Sequence, residues 1–75
     1  MRIETINGRK VVCSHIYPID ELNVGQEWAQ ADGTDRVVVI TKIENGQVYY
    51  VDNKSDTVYD KDWFSFQCRY CKVVQ

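Results

Sequence analysis

The dipeptide Asn45-Gly46 restricts this chain more than any other feature. Both residue types tolerate the positive φ angles of a type I′ turn, whose twist matches that of the strands it joins. Before it runs Arg36-Val37-Val38-Val39-Ile40-Thr41-Lys42-Ile43-Glu44, and after it Gln47-Val48-Tyr49-Tyr50-Val51-Asp52. Both runs are dense in β-branched and aromatic side chains, which suit a pleated surface. A hairpin over residues 36–52 is therefore the fixed point of the fold.

The flanking segments follow the same punctuation. Asp32-Gly33 turns a strand around Glu27-Trp28-Ala29-Gln30 back into the Val-rich strand, and Asn53-Lys54-Ser55-Asp56 is a polar loop leading into Thr57-Val58-Tyr59. Asp60-Lys61-Asp62-Trp63-Phe64 resembles a single helical turn, with Asp60 placed to cap it. Beyond it Phe64, Phe66, Cys68 and Tyr70 alternate with Ser65, Gln67 and Arg69, which predicts a last strand with one apolar face. Towards the N-terminus, Ile3-Glu4-Thr5-Ile6, Asn7-Gly8 and Val11-Val12-Cys13-Ser14-His15-Ile16 read as a further hairpin. Tyr17-Pro18 ends it, because proline removes a donor and restricts the residue before it. Residues 19–25 form a short connector.

Seventy-five residues suffice for one domain, and 44% hydrophobic with 27% charged residues is a globular balance. Two Trp, two Phe and five Tyr are the main source of buried area. The expected architecture is mostly β. The order strand, turn, long strand, tight hairpin, loop, strand, helical turn, last strand resembles a small five-stranded Src-homology-3-like barrel over residues 24–75. The N-terminal hairpin and connector of residues 1–23 are added to it.

Val24-Gly25-Gln26-Glu27-Trp28, Asp32-Gly33, Arg36-Val37-Val38-Val39-Ile40, Ile43, Asn45-Gly46, Val48-Tyr49-Tyr50 and Trp63-Phe64 together resemble small barrel proteins of bacteriophages and prophages. The resemblance covers residues 24–70. It implies a fold, an origin in a mobile element and an accessory role, and it transfers no catalytic residues, since fold alone does not carry function.

A net charge of −2 argues against a sequence-independent grip on phosphates and is too mild for a nucleic-acid mimic. No stretch approaches the roughly 20 apolar residues that span a bilayer, so no membrane association is expected. The first residues, Met1-Arg2-Ile3-Glu4-Thr5, lack an apolar run with a cleavage site. The expected location is thus the cytoplasm, of the host cell if the chain is phage-encoded, with all three cysteines reduced. Cys68-Arg69-Tyr70-Cys71 has the C-x2-C spacing of a zinc site, and Cys13 with His15 would complete a tetrahedral set. The competing reading places Cys68 in register with Phe64, Phe66 and Tyr70 as a small buried hydrophobe, and this is preferred: no cofactor is expected. His15 is the only histidine and has no identifiable catalytic partners, so no enzyme activity is expected.

What remains is binding. The surplus of tyrosines and the slight acidity point to a protein partner, bound and inhibited through a face carrying Tyr50, Asp52, Asp56 and Tyr59. The alternative is a nucleic-acid-binding barrel using Lys42, Arg69 and Lys72 beside stacking tyrosines. A homodimer through an unpaired edge strand would also fit an incomplete barrel.

Overall fold

The computed structural model describes residues 1–52 and 54–74. Asn53, the first residue of the expected polar loop, lies outside them. Seven strands form one antiparallel sheet: β1 (Arg2–Ile6), β2 (Arg9–Cys13), β3 (Glu27–Gln30), β4 (Val37–Glu44), β5 (Gln47–Asp52), β6 (Val58–Asp62) and β7 (Tyr70–Val73). A 3-10 turn, Ile19–Glu21, and one helix, α1 (Trp63–Arg69), are the other elements among the described residues. Strand order is β1-β2-β7-β3-β4-β5-β6.

The turns do what their residues allow. Asn45 and Gly46 both have positive φ, 51° and 77°, and β4 and β5 leave the turn with Glu44 opposite Gln47. Asn7 and Gly8 repeat the device, at 50° and 80°, between β1 and β2. Both central residues of each turn therefore occupy the left-handed region that a type I′ hairpin demands.

Two expectations are corrected. The sheet is not a closed five-stranded barrel: it has seven strands and is open, with β1 and β6 at its edges. The N-terminal hairpin forms as an addition to the other strands, Val11 and Val12 of β2 pairing with Val73 and Lys72 of β7 to extend the sheet. Secondly, the helical turn expected over residues 60–64 is a helix over Trp63–Arg69, so the residues after Phe64 continue the helix where a strand was expected. Asp62, rather than Asp60, is the cap, its carboxylate accepting from the N–H groups of Phe64 (3.2 Å) and Ser65 (3.0 Å). Asp60 instead lies within β6, opposite Tyr49. Alternation at positions 64, 66, 68 and 70 competes with a helical set at 63, 66, 67 and 70, and the second wins once the cap forms. Phe66, Gln67 and Tyr70 are buried, whereas Phe64 is 51% exposed and Cys68 is exposed.

Successive residues of a strand point to opposite faces, and the core is split accordingly. On one face Leu22, Trp28, Val38, Ile40, Val48, Tyr50, Phe66 and Tyr70 pack together. On the other are Ile6, Val11, Cys13, Ala29, Val37 and Cys71. Phe66 is the centre of the first cluster, its ring 5.1 Å from Trp28 and 5.0 Å from both Tyr50 and Tyr70. Gln67 ties the connector to the helix: it accepts from the Tyr17 N–H (2.7 Å) and donates to the carbonyls of Tyr17 (3.0 Å) and Trp63 (3.2 Å). In β4 the register shifts between Ile40 and Lys42, a bulge at Thr41 that bends the strand.

Candidate binding cleft

Four strands and the end of the helix converge on one open cleft of about 420 Å³. Tyr50 and Tyr59 are direct partners across β5 and β6, and their rings stack with centroids 5.8 Å apart. Tyr70 opens β7, and its ring meets that of Tyr50 at 5.6 Å. Lys61 lies two residues beyond Tyr59 on β6, and so on the same face. Arg69 ends α1, held at the rim by the hydrogen bond from the Ala31 N–H to its carbonyl (3.0 Å). Gln30, Ala31 and Asp32 supply the remaining wall.

Arg36 occupies the junction. Its Nε donates to Asp52 Oδ2 at 2.6 Å, and its guanidinium lies 5.1 Å from the Tyr59 ring and 5.9 Å from the Tyr70 ring. Such cation–π contacts hold a planar cation against rings without using its hydrogen-bonding edge. Asp52 is fixed twice, because it also accepts from the Lys54 N–H at 2.9 Å. That backbone hydrogen bond, and then Arg36, hold its carboxyl below the usual carboxylate range. At the rim, Asp32 accepts from Gln30 Nε2 (2.8 Å) and the Thr34 N–H (3.0 Å), and the Thr34 contact foremost keeps its carboxyl low. Burial, followed by the neighbouring Tyr70, pushes the Tyr50 phenol up to about 12. The Tyr50 phenol thus stays neutral at physiological pH, beside the Arg36 guanidinium.

No family model matches this chain, and no curated protein or solved structure matches it.

The residues singled out from sequence divide between this cleft and other places. Tyr50, Tyr59 and Arg69 line it, although they came from two different expectations. Asp52 stands behind Arg36 as its counter-ion, and Asp56 is exposed in the loop before β6 and does not line the cleft. Lys42 and Lys72 are not brought to Arg69. Lys42 lies 5.2 Å above the Tyr49 ring and 3.5 Å from Glu44, while Lys72 lies 4.8 Å above the Tyr17 ring.

Cys13, His15, Cys68 and Cys71 do line one second cleft, of about 340 Å³. There Cys13 and Cys71 form a disulfide between β2 and β7, their Cα atoms 5.0 Å apart. This departs from the expectation of three reduced thiols. A disulfide offers no thiolate to a metal. Among the described residues no three His, Cys, Asp or Glu groups are placed to hold an ion. Cys68, expected in the core, is exposed because the helix turns it outward. His15 packs edge-on against Tyr17 at 4.5 Å. Among the described residues no helix is long and apolar enough to cross a membrane.

Sequence reading missed Arg36 and Lys61 as site residues, and counted Tyr70 only among the tyrosines of the nucleic-acid alternative. A signal existed for Lys61, since period-two alternation in β6 places it beside Tyr59. For Arg36 the signal was the hairpin register: Val38 pairs with Asp52, so a long side chain two residues earlier reaches the Asp52 carboxylate. Tyr70 needed the helix, which sequence alternation concealed.

Proposed function

We propose that the protein is a non-enzymatic binding domain that docks a protein partner in the cleft formed by Tyr50, Tyr59, Tyr70, Arg36, Lys61 and Arg69. The observation that carries this reading is a concave opening lined by the exposed Tyr59 with Lys61 and Arg69, the Tyr59 ring stacked on the buried Tyr50 and braced by Arg36. Tyrosine and arginine are enriched in interfaces and among the residues that dominate binding energy. Rigid, pre-stacked rings lose little freedom on binding, so less of the contact energy is spent on ordering. The reading extends to a phage-type accessory factor acting in the host cytoplasm and inhibiting the host or phage protein it occupies. Two observations support it: the resemblance over residues 24–70, and the succession of β3 to β7, in which the last strand returns to pair with the first. The bulge at Thr41 bends β4, which favours curling of that succession.

Site-specific photocrosslinking tests the reading. Tyr59 replaced by p-benzoylphenylalanine should yield one dominant protein adduct in bacterial lysate, and Lys10 so replaced should not. The adduct should be competed by excess unmodified protein. An adduct pattern identical at both positions, or none at 59, overturns the assignment.

A further inference from the structure

We infer that the cleft recognises a short acidic segment of its partner, with side-chain carboxylates meeting Lys61 and Arg69. The inference rests on the protein-docking reading above and adds the chemistry of what is docked.

The protein carries a net charge of −2, yet this opening gathers cations. Of nine Lys and Arg residues, five have a carboxylate within 4.0 Å: Arg2, Arg9, Arg36, Lys42 and Lys54. Lys10, Lys61, Arg69 and Lys72 have none among the described residues. Two of those four, Lys61 and Arg69, line this single cleft. Asp52 neutralises Arg36, whose role is to brace Tyr59 and Tyr70. The one acidic group at the rim, Asp32, already accepts from Gln30 and Thr34. Lys61 and Arg69 are therefore left as donors facing the opening. Charge-assisted hydrogen bonds to carboxylates are stronger than neutral ones, and a neighbouring phenol adds a further donor.

A single-stranded nucleic acid is the competing polyanion, and the rings argue against it. Stacking needs open ring faces. Tyr50 is 3% and Tyr70 4% exposed, so of the three rings only Tyr59, at 39%, is open to solvent. Arg36 already lies against Tyr59. One partly occupied platform and two free cations suit a pair of carboxylates better than a run of phosphates and bases.

The probe is a fluorescein-labelled octapeptide bearing four glutamates, compared with its glutamine counterpart and with a labelled eight-nucleotide oligothymidylate. At low salt the acidic peptide should raise the anisotropy and bind about tenfold more tightly than the glutamine peptide. Lys61→Gln and Arg69→Gln should each weaken it about threefold or more, while Lys10→Gln leaves it unchanged. Binding should also fall as sodium chloride is raised well above physiological strength, because these cations are solvent-facing. Amide shift changes in the wild-type protein should centre on residues 59, 61 and 69, which keeps the test valid if a variant folds poorly. Equal binding of the two peptides, tighter binding of the oligothymidylate, or shift changes elsewhere overturns the inference. If the peptides fail while the crosslink from position 59 persists, only the acidic chemistry is lost. If the crosslink fails too, the docking reading falls with it.

Discussion

Gln67 offers the sharpest test of how this fold is held. It is 7% exposed, and its amide makes three hydrogen bonds, two of them to the backbone of Tyr17, fifty residues earlier. Those two bonds fasten the connector between β2 and β3 over the helix. Gln67→Ala removes all three at a net cost of about 1 kcal/mol each. Tyr17 is only partly buried, so water regains some of that loss, and the expected destabilisation is about 2–3 kcal/mol. For a domain of this length, that lowers Tm by roughly 10–20 °C. The measurement is urea unfolding followed by tryptophan fluorescence, with the exposed Glu27→Gln as control. Gln67→Glu refines the test. An ionised carboxylate still accepts from the Tyr17 N–H but faces the Tyr17 and Trp63 carbonyls without a donor, whereas its protonated form supplies one. Burial raises the pKa of the introduced carboxyl in the folded state. Its protonated-state contribution is full below the unfolded value of about 4.3 and is lost as pH rises through the folded value. The deficit of Gln67→Glu against the wild type should therefore be smaller at pH 4 than at pH 7. A Gln67→Ala protein within about 0.5 kcal/mol of the wild type would refute the clamp.

Other consequences follow from the same packing. The Cys13–Cys71 disulfide closes a loop of 58 residues, and chain-entropy reasoning gives it about 4 kcal/mol. Reductant should lower the urea midpoint accordingly, and alkylation before reduction should label one cysteine, Cys68; labelling of three would dismiss the bridge. Phe66→Ala opens a cavity between Trp28, Tyr50 and Tyr70, with a loss of about 3–5 kcal/mol in the same unfolding assay. Tyr50 ionises near 12 when folded against about 10 when unfolded. Its contribution is whole below about pH 10 and disappears as pH climbs through 12. Absorbance at 295 nm should show a late-titrating component that Tyr50→Phe removes, and stability of the wild type should decline across that window.

The turns and most strands were readable because their signals are local. Asn45-Gly46 and Asn7-Gly8 state their turn type in two residues, and both hairpins form where those pairs predict them. What was not readable depended on partners distant in sequence. Positions 64–70 alternate like a strand, and only the Asp62 cap and the packing of Phe66 against three rings from β3, β5 and β7 favour the helix. Cys13 and Cys71 carry no mutual signal across 58 residues; their pairing follows from β2 lying beside β7. Tyr59 was legible as a surface candidate through strand periodicity, whereas Tyr50, expected on the same exposed face, is 3% exposed and packs in the core. Arg69 was assigned to a different surface because its placement hinged on that same helix. Lys42 and Lys72 looked equivalent to it in sequence and are not in space.

The helix also explains why a cleft exists. β6 and β7 are consecutive in the chain yet lie four strand spacings apart in the order β7-β3-β4-β5-β6. In a flat sheet that separation is about 19 Å. Seven helical residues span only about 10 Å, whereas seven extended ones would reach about 23 Å. A helical connection is too short for a flat sheet, so the strands it joins must curl towards one another. The bulge at Thr41 supplies a bend in the longest strand. The curl is visible in the contacts: Arg36 touches Tyr59 on β6 and Tyr70 on β7 at once, and Tyr50 meets both of their rings. The sheet remains open, however: β6 and β7 are not paired, yet both contribute residues to the cleft. Lys61 and Arg69 both line it because one is the next-to-last residue of β6 and the other the last of α1, the helix that joins β6 to β7.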